Sequence, residues 1–449
     1  MSRLFGTDGV RGIVNKDLTP ELAFNLGKAG TFVLNKEKER PIIIIGKDTR
    51  ISGDLLEDAL SSGILAMGGN VIKVGVLPTP AIAYIVRHLH ADAGVVISAS
   101  HNTFEYNGIK FFNQDGFKLD EYIEDEIEDI ITRDIDINGH ITGDRVGRCL
   151  EADKKGLDYY VKFLKSTVNL DLKGKKIVLD CANGASYQAA KIIFSDLGAT
   201  VVSIGDAPDG LNINDGCGST HPEALQAKVL EEKAFIGLAF DGDADRLIVV
   251  DEVGNIIDGD KILCICAKMM RDTGFLYGDL VTATVMSNLG FHKYLEKIGI
   301  RRDVTKVGDR YVLEQMLKSG CLLGGEQSGH LIFLNYTTTG DGILSALQFM
   351  KAIDLDGRKP SEIGNDITLY PQVLVNAAIK EENKKKYVKD PKVIAEIKRL
   401  EDSMAGEGRV LIRPSGTEPL VRVMIEGQNL EEITKLAQGL AELITKKFG

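Results

Sequence analysis

The chain lacks any long apolar run. No uninterrupted stretch approaches the roughly 18 apolar residues of a membrane-spanning helix. The opening MSRLFGTDGVRG has no apolar core of signal-peptide length. Cysteine is sparse, with six residues at Cys149, Cys181, Cys217, Cys264, Cys266 and Cys321. Only Cys264 and Cys266 stand close, and their C-x-C sits inside the apolar KILCICAKMM, which reads as buried helix and not as a zinc site. Positive charge is in deficit: 54 Lys and Arg against 65 Asp and Glu leave a net charge of −11. That balance argues against a broad nucleic-acid or anionic-membrane surface, while a locally basic pocket for a small anion remains open. No stretch is of low complexity, and the lysine cluster Lys384–Lys386 reads as a solvated helix face. The expectation is a cytoplasmic globular protein that binds neither nucleic acid nor membrane.

What is present points to several α/β modules. At 449 residues the chain exceeds one ordinary core, and length suggests three or four domains. PIIIIGKDTR (41–50) is a buried strand ending in a polar turn, LEDALSSGILAMGG follows with helical period, and NVIKVGVLPTP is the next strand. The same cadence returns over 175–205 and again over 279–309, which predicts three similar strand–helix–strand modules. The last eighty or so residues differ. TLYPQVLVNAAI, GRVLIRPSG and PLVRVMIEG read as strands around a charged helical stretch, closed by an amphipathic helix, as in a smaller α+β module.

Four polar constellations carry the chemistry. In VVISASHN a β-branched strand ends at Ile97 and breaks into polar residues, and ligands gather beyond the carboxyl ends of strands in open α/β sheets. Ser100 there reads as nucleophile, helix cap or turn residue, and taken alone the cap or turn reading outweighs the nucleophile. No G-x-S-x-G elbow surrounds it. In DGDADR, Asp241, Asp243 and Asp245 alternate, so their carboxylates converge on one hard cation that relieves their repulsion. An EF-hand is excluded by Arg246 at the position that wants glycine and by flanking strands. GGEQSGH (324–330) offers Glu326, Gln327, Ser328 and His330 between glycines, a set suited to sugar hydroxyls. In RPSGTEPLVR (413–422), Arg413, Ser415, Thr417 and the amides near Gly416 suit a phosphate. The smaller loops FGTDGVRG, with Arg11, and VGDR, with Arg310, add arginines that could face the same cleft.

Taken in order, FGTDGVRG, GKDTRISG, SASHN with NGIK, DGDADR, GEQSGH and RPSGTEP resemble the motif set of the α-D-phosphohexomutase superfamily. DGLNINDGCGSTHPEAL (209–225) and TTTGDGILSAL (337–347) resemble its glucosamine branch more than its mannose/glucose branch. The resemblance implies an α/β fold of four domains around a central cleft, three of them similar and the last a smaller α+β domain. Their expected spans are 1–155 with a phosphoserine loop, 156–255 with a metal loop, 256–368 with a sugar loop and 369–449 with a phosphate loop. The implied activity converts glucosamine 6-phosphate to glucosamine 1-phosphate through a phosphoserine and a 1,6-bisphosphate, for UDP-N-acetylglucosamine and peptidoglycan synthesis. Ser100 would carry the phosphate and, with Asp241, Asp243 and Asp245, hold one Mg²⁺ per subunit. Arg246 would touch that phosphate, Lys110 and His330 match positions of proton transfer, and His101 would support the loop. Glu326 and Ser328 would grip the sugar. Arg11, Asp309, Arg413, Ser415, Gly416, Thr417 and Arg422 complete the expected substrate contacts, and the family suggests a homodimer.

The elementary chemistry agrees, because moving phosphate between two hydroxyls needs a group that gives it to one and takes it back from the other. Three aspartates are a rich set for Mg²⁺, so Mn²⁺ or Zn²⁺ also suits them. Two positions depart from the family pattern: Thr103 stands where proline is usual, and Lys47 where arginine is. The rival readings are a phosphomannomutase/phosphoglucomutase, against which Gln327 is the discriminating residue, and a non-catalytic sugar-phosphate sensor. The intact Ser100, aspartates, Lys110 and His330 argue against a sensor.

Overall fold

The computed structural model describes residues 3–6, 8–34, 38–137, 141–150, 155–383, 386–415 and 418–449. Lys384 and Lys385 of the lysine cluster therefore lie outside the described residues, as do Gly416 and Thr417. Two compact units divide the chain, one of residues 1–286 with 300–366 and one of 287–299 with 367–449.

The first unit contains three sheets. The first is built from β1 (Val10–Ile13), β2 (Ile42–Lys47), β3 (Asn70–Val76), β4 (Ala93–Ile97) and β5 (Tyr106–Asn113). The second has β6 (Lys176–Asp180), β7 (Thr200–Ile204), β8 (Ile236–Phe240), β9 (Leu247–Asp251) and β10 (Ile256–Ile257). The third has β11 (Leu280–Thr284), β12 (Arg301–Thr305), β13 (Leu323–Gly325) and β14 (Leu331–Phe333). Their orders are β1-β5-β4-β2-β3, β10-β9-β8-β6-β7 and β12-β11-β13-β14. Each thus repeats one plan: three parallel strands in the order second, first, third, then a fourth strand running back antiparallel to the third. The Ile and Val runs are buried because helices cover the parallel strands; β4, β8 and β9 are buried at every residue.

KILCICAKMM lies in the helix Gly259–Asp272, where Cys264 and Cys266 are buried and unbridged. No helix among the described residues is long and apolar enough to cross a membrane.

The second unit holds β15 (Gln372–Ala378), β16 (Gly408–Pro414) and β17 (Leu420–Gly427) in the antiparallel order β15-β17-β16. Val375, Val421, Val423 and Ile412 pack with the helices Pro391–Ser403 and Leu430–Phe448 through Val393, Leu400, Leu440 and Ile444. The helix Leu289–Lys297 also belongs to this unit, although β11 and β12 on either side of it belong to the other. Its first amide, Leu289 N–H, donates to the fully buried Glu426 carboxylate at 2.9 Å.

Candidate functional site

The shared sheet plan places three of the four constellations at one equivalent position. In each sheet the third parallel strand turns back into the antiparallel fourth, and the connecting residues are polar. Ser98–Glu105 link β4 to β5, Asp241–Arg246 link β8 to β9, and Glu326–His330 link β13 to β14. Hydrogen bonds and ion pairs bring the three connections together.

Ser100 has φ of +52°, in the left-handed region that costs a serine about 1–2 kcal/mol. The surroundings hold it there. Its N–H donates to Ser98 Oγ at 3.0 Å, and Ser98 Oγ donates to Asp48 Oδ2 at 2.5 Å. Asp48 also receives Arg50 Nε at 2.9 Å, and Arg50 Nη2 donates to the carbonyls of Ser100 and Asn102 at 3.0 and 2.8 Å. Arg50 donates to the Thr103 carbonyl as well, so the position where proline is usual is tied down through its backbone. Ser100 Oγ donates to Asp241 Oδ2 at 2.7 Å and lies 3.3 Å from His101 Nδ1. Burial, then the Arg246 and Arg11 charges, lower the His101 pKa to about 4, so His101 is a neutral neighbour of Ser100 at pH 7.

Asp241, Asp243 and Asp245 are buried, with ligand oxygens all within 4.8 Å of one another. Burial raises the Asp241 pKa well above the carboxylate range, and the Asp245 and Asp243 charges add to it. Asp243 Oδ2 accepts from Thr79 Oγ1 and from Lys110 Nζ, each at 2.7 Å. The other oxygens, Asp243 Oδ1 and Asp245 Oδ1, are buried without a hydrogen-bond partner among the described residues. Two unpartnered carboxylate oxygens in a mutually repelling triad fit a divalent cation, which takes hard oxygen ligands and cancels the charge.

Around this triad runs an alternating chain of charge. Lys110 Nζ reaches Asp243 and Asp8 at 2.7 and 2.8 Å, and Asp8 reaches Lys118 at 2.5 Å and also pairs with Arg11. Lys118 reaches Asp309 at 2.5 Å, Asp309 lies 3.8 Å from His330 Nε2, and His330 Nδ1 lies 3.4 Å from Asp245. Burial alone would lower the Lys110 pKa, but Asp243 and Asp8 raise it, so the ammonium is retained. The same contest at His330 is won by Asp245 and Asp309, which raise its pKa to about 9. Gly340 N–H, donating to Nε2 at 3.2 Å, pulls the other way by favouring the Nδ1–H tautomer. Arg246 Nε stands 3.9 Å from Asp241 and 3.8 Å from Asp245 without a hydrogen bond of its own.

In the third connection, Glu326 Oε1 accepts from Gly308 N–H at 3.0 Å and Ser328 is exposed. Gln327 is turned away, its amide donating to Asp258 at 3.3 Å, so its side chain serves the helix cap at Asp258. Arg310 of VGDR pairs with Glu124 at 2.7 Å.

In the second unit, Arg413 of β16 stands opposite Arg422 of β17, on the sheet face away from the Val421–Val423 core. Burial and the Arg422 charge both lower the Arg413 pKa. Like charges facing across strands are unfavourable, which makes this face a natural anion seat. Ser415 is buried, and its Oγ accepts from Glu418 N–H at 3.2 Å.

Sequence reasoning passed over Asp8, Asp48, Arg50, Ser98 and Asn214, although all lie in or beside stretches it singled out. Lys118 and Thr79 had no local signal, because their partners Asp309 and Asp243 are 191 and 164 residues away.

Comparison with known proteins agrees along the whole chain. Models of phosphoglucomutase/phosphomannomutase match as α/β/α domain I over residues 2–137, domain II over 158–254, domain III over 258–370 and the C-terminal domain over 374–443. The phosphoglucosamine mutase of Alkaliphilus oremlandii (strain OhILAs) is 55% identical over 449 residues, covering 100% of both chains. That of Thermoanaerobacter sp. (strain X514) is 56% identical over 448 residues, again at 100% of each. Among solved structures, a phosphoglucomutase/phosphomannomutase family protein from Burkholderia thailandensis has a TM-score of 0.79 at 25% identity, covering 98% of each chain. The Aspergillus fumigatus N-acetylphosphoglucosamine mutase, solved with GlcNAc-6P and magnesium, shares the fold at a TM-score of 0.70 and 18% identity, covering 99% of this chain and 96% of its own.

Proposed function

The chain belongs to the phosphoglucomutase/phosphomannomutase family, and from that premise we propose that it interconverts glucosamine 6-phosphate and glucosamine 1-phosphate. It is an isomerase of the phosphohexomutase type. The observation that carries the reading is Ser100 Oγ, hydrogen-bonded to Asp241 inside a buried carboxylate triad. The glucosamine assignment rests on the full-length identity of 53–56% to phosphoglucosamine mutases.

In this reading Ser100 carries a phosphate, gives it to the free hydroxyl of the sugar phosphate and takes back the other phosphate of the resulting 1,6-bisphosphate. Asp241, Asp243, Asp245 and the Ser100 phosphate would hold Mg²⁺, which when bound neutralises charge on the transferring group. Arg246, with its unpartnered Nε, is the donor to the Ser100 phosphate. Lys110, kept protonated by Asp243 and Asp8, donates to the oxygen that accumulates charge, while His330, its pKa raised to about 9 between Asp245 and Asp309, returns a proton in its charged form and takes the hydroxyl proton in its neutral form. His101 steadies Ser100, and Glu326 and Ser328 meet sugar hydroxyls. Arg11 and Asp309 line the substrate side. Arg413, Ser415, Gly416, Thr417 and Arg422 hold the phosphate that is not reacting. The product supplies UDP-N-acetylglucosamine and peptidoglycan synthesis; the protein acts in the cytoplasm as a homodimer.

A coupled assay on glucosamine, glucose and mannose phosphates tests the reading. Glucosamine phosphate should have the highest kcat/KM, and a preference for mannose or glucose phosphate would overturn the substrate assignment.

A further inference from the structure

The stretch 209–225 singled out above as marking the glucosamine branch has no part in the chemistry just described, yet it reaches the phosphoserine loop. Asn214 is 4% exposed and adopts φ of +58°, and its own N–H donates to the Ala182 carbonyl at 2.9 Å. Its side-chain amide gives one hydrogen to the Ser100 carbonyl and one to the Asn102 carbonyl, both at 2.9 Å. These are the two carbonyls that Arg50 Nη2 also holds. Arg50 belongs to the same sheet module as Ser100, whereas Asn214 belongs to the module that carries the three aspartates. Gly242, between Asp241 and Asp243, closes the same space: a Cβ there would lie 2.6 Å from the Ser100 carbonyl oxygen and 2.7 Å from Asn214 Nδ2. The loop backbone, the Asn214 amide and the metal-loop backbone are therefore packed with no room for a side chain between them.

We infer that Asn214 is a positioning residue for phosphoryl transfer, fixing the left-handed Ser100 backbone against the aspartate loop so that Ser100 Oγ meets Asp241. The inference deepens the mutase reading and rests on it. It acts through geometry alone: the amide donates to the two loop carbonyls and not to the reacting Ser100 Oγ.

Two variants separate this role from folding. Asn214→Gly keeps the positive φ that glycine adopts freely and removes the amide. Asn214→Asp keeps the shape but sets carboxylate oxygens against two carbonyls. If an ångström of misplacement costs on the order of 100-fold, kcat should fall about 10-fold in the glycine variant and about 100-fold in the aspartate variant. KM should stay within about threefold of wild type in both, since substrate contacts are untouched. The glycine variant should melt within about 3 °C of wild type, as the loss of two neutral hydrogen bonds from a large protein implies. Wild-type kcat in both variants, or a loss confined to KM or melting temperature, would overturn the inference. Wild-type protein active on glucose or mannose phosphate and inactive on glucosamine phosphate would overturn the substrate assignment alone, and the kcat comparison would then be read on the active sugar.

Discussion

At the Ser100 loop, Asp243 and Asp245 each set one oxygen against a cationic side chain, Lys110 at 2.7 Å and His330 at 3.4 Å, and keep the other unpartnered, in surroundings almost closed to water. On the C-terminal sheet, Arg413 and Arg422 face each other half-exposed, and the acidic partner among the described residues is Glu418, 3.9 Å from Arg422. In one region a frame of buried ion pairs holds a few oxygens ready for a cation; in the other the charge stands half-exposed for a ligand. In the reaction proposed above, the contrast would suit a reacting centre that stays fixed while the sugar phosphate presents its two ends in turn. Preorganisation is worth most where charge develops during transfer, and tolerance is worth most where an unreactive phosphate is only held.

The sharpest way to break this comparison is to remove the group on which the buried region is centred. Ser100→Ala should lower turnover by about 10³-fold or more, because no other hydroxyl occupies that position to carry phosphate. Intact-mass and peptide mapping of the wild type should find one phosphate, at Ser100. Full activity in Ser100→Ala would show that transfer runs directly between sugars.

Next in size is the triad. Asp243→Asn keeps the shape but deprives Lys110 of a buried ion pair and the cation of a ligand, so kcat should fall about 100-fold, or about 2.7 kcal/mol at about 1.36 kcal/mol per tenfold, and the broken buried pair should separately lower stability by about 3–5 kcal/mol. Chelation should inactivate the wild type reversibly, with Mg²⁺ restoring it, and calorimetry should show weaker Mg²⁺ binding in the variant. Activity after exhaustive metal removal would make the triad structural.

At the open region the expected sign of the stability change differs. Arg413→Ala removes one charge-assisted donor, worth roughly 1.5–3 kcal/mol, so kcat/KM should fall about ten- to a hundred-fold. The loss should be similar for the 6-phosphate and the 1-phosphate. Relief of the Arg413–Arg422 repulsion should leave the melting temperature unchanged or slightly raised. A fall in melting temperature with unchanged kinetics would identify the loop as a strand connection.

How much of this was legible in the sequence follows from what each feature depends on. The β-branched runs and the alternating Asp241, Asp243 and Asp245 are local patterns, and they mark strands and a cation seat without tertiary information. The three-module cadence could be read, but not that SASHN, DGDADR and GEQSGH occupy the same strand connection, since that requires knowing which strands run antiparallel. The Asp8–Lys118–Asp309 relay depends on residues 110 and 191 positions apart, and no periodicity encodes such a pairing. Gln327 looked like a sugar contact because its neighbours do; only its bond to Asp258 shows which way it turns. The helix Leu289–Lys297 carries an ordinary amphipathic pattern, and such a pattern says that a face is buried without saying against which unit.

The last expected effect leaves turnover alone and is read in stability: it concerns what burial costs the closed region. Asp341 follows Gly340, whose N–H touches His330, and caps the helix Gly342–Asp356. It is fully buried, accepting from Tyr160 O–H and Leu344 N–H, each at 2.9 Å, with no cationic side chain paired to it among the described residues. Burial pushes its pKa up to about 7 from an ordinary 3.8. The folded chain therefore holds a proton that the unfolded chain releases. Stability from this group is complete below about pH 4, declines as pH rises towards 7 and is constant above, a difference of up to about 4 kcal/mol. Asp341→Asn fixes the uncharged form, retains an acceptor for Leu344 N–H and offers Tyr160 an amide. It should flatten the fall in melting temperature between pH 5 and pH 8 and leave the variant roughly 2–5 °C above wild type at pH 8. Arg422→Ala, on the open sheet face, should leave the pH slope of the melting temperature unchanged over that range. Parallel pH slopes for wild type and Asp341→Asn would mean that Asp341 is already ionised in the folded chain at pH 5, and that burial at this end of the molecule carries no such cost.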